Sequence, residues 1–284
     1  MTSPPSTLRF LAPAVLSAVL ALLLAGCTGS EEPVDEPEAA TSTSESPSAE
    51  PVDTSPPRVG ACYRLTLRDA ARPTSAAEPV PCTGARTTRT IAVAKLGTGR
   101  RTPDVESRQV RDRLTQQCTR TMTTFLGGTT NTQRLSRFQA VWFTPNEEQL
   151  AAGADWVRCD VLAFGRGDDL MLLPRLRLEG ILNRPTGLEV FGLCGTAAPG
   201  ASGFERVACR FRHSWVAIST LPIAGGERYP GEQRVRAAGD QTCSDQVNSR
   251  SSDLEFDYGW EWPTAEQWRA GQRYGFCWAP ASLA

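Results

Sequence analysis

Apolar and polar residues alternate, or apolar β-branched and aromatic residues dominate, over residues 62–67, 88–94, 138–144, 156–164 and 215–221. A period of two in short runs predicts strands lying on a sheet. Elsewhere the period changes to that of a helix. Val110, Leu114, Cys118 and Met122 fall at i, i+4, i+8 and i+12, and so do Val235, Gly239, Cys243 and Val247. Each set predicts the buried face of one helix. Thr102-Pro103-Asp104 predicts the start of the first, with a cap, a proline at the first helical position and an acid near the positive end. Gly127-Gly128 predicts its end, and Tyr229-Pro230-Gly231-Glu232 opens the second.

The pattern recurs. PNEEQLAAGADWVRC (145–159) and PTAEQWRAGQRYGFC (263–277) share six of fifteen positions and both end on cysteine. In each, a proline starts a short helical turn, Leu150 or Trp268 points inward, and Gly153 or Gly271 reverses the chain into a last strand. Eight cysteines fall into two sets of four in matching order, Cys62, Cys82, Cys118, Cys159 and Cys194, Cys209, Cys243, Cys277. Their flanks agree: Gly60-Ala61-Cys62 with Gly192-Leu193-Cys194, and Val80-Pro81-Cys82 with Val207-Ala208-Cys209. The expectation is an α+β fold made of two tandem copies of a small disulfide-stapled domain, each an antiparallel sheet with one main helix. The copies span 58–165 and 191–284, and the apolar residues of the 166–190 linker predict that they pack together. Pairing within copies, alike in both, leaves three disulfide schemes. The preferred one joins first to second and third to fourth, because it ties neighbouring strands and then ties the helix to the closing strand.

The amino-terminal end is of another kind. One arginine precedes an apolar run, 10–24, that is short for a membrane span and reads as an export signal. Leu24-Ala25-Gly26-Cys27 resembles the lipobox of bacterial lipoproteins, which implies a signal peptide over 1–27 and a lipidated Cys27. Residues 28–57 hold eight acids and no base among Ser, Thr and Pro, and predict a disordered linker. The expected location is the extracytoplasmic face of the cell membrane, with the lipid anchor as the membrane contact. An exported chain argues against nucleic acid as a partner, and an even number of remaining cysteines argues for disulfides. No Cys-x-x-Cys occurs, so neither a redox nor a zinc site is expected. No cofactor or metal is expected at all.

Gly192, Cys194, Cys209, His213, Tyr229-Pro230-Gly231, Cys243, and Pro263-Thr264 with Trp268, Gly271, Arg273 and Cys277 together resemble the septum formation domain of actinobacterial envelope proteins. The first copy departs from that pattern: Arg86 stands at the position of His213, Thr102-Pro103-Asp104 replaces Tyr-Pro-Gly, and Leu150 replaces the tryptophan. The resemblance implies a link to division or the envelope and no particular reaction.

The candidate chemistry is that of binding. Residues 58–160 carry sixteen basic against nine acidic side chains, although the whole chain has a net charge of −1. Arg100, Arg101 and Arg108 belong to this basic region, suited to wall polymers or anionic lipid. Aromatic residues crowd into 258–278, where Trp260, Trp262, Trp268 and the single histidine, His213, are candidate contacts for a glycan or an envelope or division protein. The expected function is a non-catalytic lipoprotein binding an envelope partner. The alternative is a wall-modifying hydrolase using paired carboxylates, such as Glu147-Glu148, Asp168-Asp169 or Glu255 with Asp257, or His213.

Overall fold

The computed structural model describes residues 51–97, 104–253 and 255–284. Cys27, the export segment, most of the acidic linker, Arg100, Arg101 and Thr102-Pro103 lie outside them. In the first lobe the order is β1 (Cys62–Tyr63), α1 (Leu67–Ala70), β2 (Thr88–Ala94), α2 (Arg108–Leu126), α3 (Thr130–Arg134), β3 (Phe138–Phe143), α4 (Glu147–Ala151) and β4 (Val157–Ala163). A single turn, Ile181–Asn183, and α5 (Pro185–Phe191) lead to the second lobe. There β5 (Leu193–Gly195), β6 (Arg206–Ala208), β7 (Trp215–Pro222), α6 (Glu232–Ala237), α7 (Asp240–Asn248), β8 (Gly259–Glu261), α8 (Ala265–Arg269) and β9 (Tyr274–Pro280) follow.

The fold is α+β with antiparallel sheets. The first sheet runs β1-β2-β4-β3 and the second β6-β5-β7-β9-β8. Each central pair is bulged at a comparable point: the register slips between Thr90 and Ala92 on β2, and between Ala217 and Ser219 on β7. Beyond the slips, Ala92 faces Cys159 and Ser219 faces Cys277. On the other side of the closing strands, Trp142 faces Cys159 and Trp260 faces Cys277.

Local chemistry accounts for the corners. Asn146 and Gln149 form a reciprocal capping box on α4, and Thr264 and Gln267 form one on α8. This is the role of the glutamine in both repeated phrases. Gly153 and Gly271, at φ 96° and 98°, then make the left-handed turn into the last strand.

Several elements differ from the sequence pattern. The strand expected over 62–67 stops at Tyr63, because Thr66 and Asp69 form a capping box that starts α1. The first long helix begins at Arg108, four residues after Asp104, with Ser107 Oγ accepting from the Val110 amide. The second helix is split into α6 and α7 at Gly239, so the second lobe has no single main helix. The Trp260 indole lies so close to Gly239 that a Cβ there would stand 2.4 Å from its Cζ2.

The cysteines stand in four pairs at bonding distance: Cys62 with Cys82, Cys118 with Cys159, Cys194 with Cys209, and Cys243 with Cys277. The Cys118–Cys159 and Cys243–Cys277 pairs are fully buried and fasten α2 to β4 and α7 to β9. The linker extends that core, since Met171, Leu173, Leu178, Ile181 and Leu182 are buried against α2 and β4. Backbone bonds sew the lobes together: Leu193 N–H donates to Leu135 O, Arg137 N–H to Phe191 O, and Ala208 N–H to Gly165 O, each at 2.7 Å. Asn131 Oδ1 accepts from the Thr220 amide at 2.8 Å. Among the described residues no helix is long and apolar enough to cross a membrane.

Replacing Cys118 and Cys159 together by alanine is expected to cost about 2–5 kcal/mol of stability, measured as a lower denaturant midpoint. Gly239→Ala, which forces the new methyl against Trp260, is expected to cost about 1–3 kcal/mol in the same assay.

Candidate functional site

The aromatic cluster divides between two cores. Trp260 and Trp268 are buried, their indole N–H groups donating to Val235 O at 3.2 Å and Gly226 O at 3.1 Å. Phe276 and Trp278 on β9 are buried on the opposite face of the sheet, packed with Leu135 of the first lobe and with Phe204. The second sheet is covered on both faces, so neither stripe is an open platform, and Trp260 and Trp268 are core residues instead of contact residues. Trp262 alone of the three candidates stays half-exposed, with the Arg236 guanidinium 5.4 Å from its ring centroid.

His213 is half-buried and its Nδ1 lies 2.7 Å from the Phe211 carbonyl oxygen. Arg86, at the corresponding place in the first lobe, is buried and donates to Pro174 O at 2.9 Å, tying the linker down. Arg108 is exposed on the first turn of α2 and pairs with Asp112 at 3.7 Å, an open contact that adds little. Glu147 and Glu148 are exposed on α4, Asp168 and Asp169 sit in an exposed turn, and Glu255 and Asp257 lie in a loop. The three carboxylate pairs therefore lie on different segments, and Asp169 lines a surface cavity with Arg210 and Phe211, the residue whose carbonyl meets His213.

The most unusual chemistry lies elsewhere, on the face of the first sheet that looks away from α2. Along β4, alternation sends Cys159, Val161 and Ala163 toward α2 and the linker, and Arg158 and Asp160 to the opposite side. Both charged side chains are almost fully buried, with Arg158 Nε 3.2 Å from Asp160 Oδ1. Thr90 Oγ1 donates to Asp160 Oδ1 at 2.8 Å and Thr88 Oγ1 to Oδ2 at 3.2 Å. The Arg158 guanidinium carbon lies 4.0 Å from the Tyr63 ring centroid and 4.3 Å from that of Phe143. Burial raises the Asp160 carboxyl above its ordinary value of 3.8, against the opposing pull of Arg158 and the two threonine hydroxyls.

Sequence patterning missed this layer. Its signal was Trp-Val-Arg-Cys-Asp, 156–160, in which two opposite charges flank a paired cysteine within a strand whose other residues are apolar. Charges at alternate positions read as a solvated face, and only the cover supplied by Tyr63, Phe143 and the 71–87 loop makes the face internal.

A carboxyl whose pKa is raised by folding adds stability below its unfolded value and loses that contribution as pH climbs through the raised value. Asp160→Asn removes the titration. Wild type is therefore expected to lose stability relative to Asp160→Asn as the pH rises above 3.8, followed by denaturant melts over a pH series. A difference that stays constant with pH would mean that burial does not shift this carboxyl.

Comparison with known proteins adds one finding. The family model described as Septum formation matches residues 129–277, from the N-cap of α3 to Cys277 on β9. No curated protein and no solved structure matches the chain. The matched span starts inside the first lobe, takes in β3, β4 and the linker, and continues through the second lobe, so it includes both closing corners and the seam between the lobes. It covers more than half of the chain, which therefore belongs to the septum formation family.

Proposed function

We propose that this protein is a non-catalytic lipoprotein, held through Cys27 at the extracytoplasmic face of the cell membrane, which binds an envelope partner in septum formation. The observation that carries the reading is the family match over 129–277. The apolar run before Leu24-Ala25-Gly26-Cys27 supports export and anchoring, and eight cysteines paired at bonding distance suit an oxidising compartment. The acidic 28–57 linker gives the folded part reach from the membrane.

The folded part consists of two tandem copies of one unit, 58–165 and 191–284, joined by 166–190. What supports this is the shared strand order β1-β2-β4-β3 and β5-β7-β9-β8, the bulge in both central pairs, and the cysteine of each closing strand facing a tryptophan on its outer neighbour. A binding role is favoured over hydrolysis because the carboxylates of all three candidate pairs are exposed to water. Partners of matching chemistry are an envelope or division protein, a wall polymer or anionic lipid, met through the basic α2 surface around Arg108 or through Trp262.

Cys27→Ser is expected to move the chain from the membrane fraction to the soluble exported fraction, read by fractionation and by mass spectrometry of the acylated peptide. The full chain with oxidised cysteines, incubated with purified wall, anionic vesicles and detergent-solubilised envelope, is expected to retain a partner. Retention on wall or vesicles that disappears at high salt assigns the contact to the basic surface, whereas a protein retained through high salt assigns it to the second lobe. Joint replacement Glu147→Gln, Glu148→Gln, His213→Ala is expected to leave the envelope phenotype unchanged; a lost phenotype in a folded variant would instead support the hydrolase.

A further inference from the structure

Corresponding registers set Trp156, Arg158 and Asp160 of the first lobe against Tyr274, Phe276 and Trp278 of the second. In the second lobe these positions are aromatic: Phe276 and Trp278 pack on Leu135, Trp278 Nε1 donates to Glu261 Oε2 at 3.0 Å, and the ion pair of Glu261 with Arg206 stays half-exposed beside Phe276. In the first lobe the same positions bury the Arg158–Asp160 ion pair and leave three donor atoms without a hydrogen-bond acceptor, Trp156 Nε1, Arg158 Nε and Arg158 Nη2. Trp156 is 7 % exposed and Arg158 3 %. Buried donors that meet nothing are rare and costly, and a buried ion pair is seldom more stabilising than apolar packing. The second lobe shows that this sheet closes well with aromatic residues there, so packing does not explain the charged set.

Trp156 and Arg158 line one cavity of about 620 Å³, within the size range of small-molecule sites. Tyr63, Glu78 and the segment that includes Asp53 and Arg58 form other parts of its wall. The Arg158 guanidinium has Tyr63 and Phe143 near it and its Nε 3.2 Å from Asp160 Oδ1, while Nη2, on the same edge of the fork as Nε, has no acceptor. Such a nitrogen meets an acceptor in the plane of the fork, which is how a guanidinium takes a carboxylate. At the wall two exposed acids, Asp53 and Glu78, stand against one exposed base, Arg58, while Trp156 and Arg158 are buried, so the mouth does not draw in a multiply charged phosphate and the inner donors suit a single anion.

The geometry points to a binding site in the first lobe for a small ligand with one carboxylate, held by Arg158 Nη2 and Trp156 Nε1. The site stands on the first lobe alone and does not depend on the anchoring or the division role. Two sources offer that group, the free carboxyl end of a short peptide and an acidic sugar.

The test is proton–nitrogen correlation NMR on the full oxidised chain, in which the Trp156 indole N–H is identified as the peak missing from Trp156→Phe. The probes are acetyl-Ala-Ala-Ala, its carboxy-terminal amide, galacturonic acid and inorganic phosphate. A saturable shift of the Trp156 peak with the free-acid peptide, and none with its amide, is expected if the source is peptide; the same shift with galacturonic acid is expected if it is sugar. Arg158→Lys, which keeps the charge and loses the fork, is expected to weaken the binding about tenfold. The proposal is overturned if peptide acid and amide shift the peak alike, if phosphate shifts it at lower concentration than either carboxylate, if neither carboxylate shifts it at millimolar concentration, or if folded Arg158→Lys binds as well as wild type. The acid and amide arms use wild-type chain, so they decide the matter even where Arg158→Lys does not fold.

Discussion

A small antiparallel sheet has two faces to cover, and each lobe of this chain supplies helix for only one of them. On that covered face the arrangement is alike in both lobes: a helix lies across the closing strand and a cysteine pair fastens it, Cys118 to Cys159 and Cys243 to Cys277. These pairs sit among the most buried atoms of the protein, so they link core to core. Where the remaining face of each sheet finds its cover decides how the two lobes differ.

The second lobe uses its neighbour. Phe276 and Trp278 are closed off by Leu135, and Arg134 lies over the Tyr274 ring at 3.9 Å. The first lobe cannot use the same solution twice, because its own linker and α5 turn the chain away toward α2. Its second face is roofed by Tyr63, Phe143 and the loop held by the Cys62–Cys82 pair, with Val80 bonded to Cys62 and Thr144 to Pro73. A roof made of loop leaves room beneath it, lined by Arg158 and Trp156, with Asp160 and the threonine hydroxyls buried behind Arg158. The difference between the lobes is thus one of geometry first and of chemistry as its consequence.

This division bears on function. In this member of the septum formation family the first lobe supplies Leu135 to close the second, while keeping a buried ion pair of its own and the more basic half of the sequence. The match that begins at residue 129 spans the seam, where backbone hydrogen bonds join the two lobes.

Much of the fold could be read from residue order. Strand positions at 88–94 and 138–144, the helix faces through Cys118 and Cys243, and the glycine turns of the two corners depend on short-range periodicity and backbone freedom, which sequence carries directly. Helix boundaries were less legible, because Ser107 and Gly239 act through a single hydrogen bond and a single close contact with Trp260. The site was the least legible part. Residues 156–160 announce a strand with two charges on one side, and no local pattern says whether that side meets water or a roof. Likewise Trp260, Trp262 and Trp268 announce bulk, and only the packing of α6, α7 and the closing corner decides that two are buried and one is partly open. Sequence determined which residues share a face, because that follows from the period of the backbone; the tertiary structure alone decided what each face meets, because burial depends on segments far away along the chain.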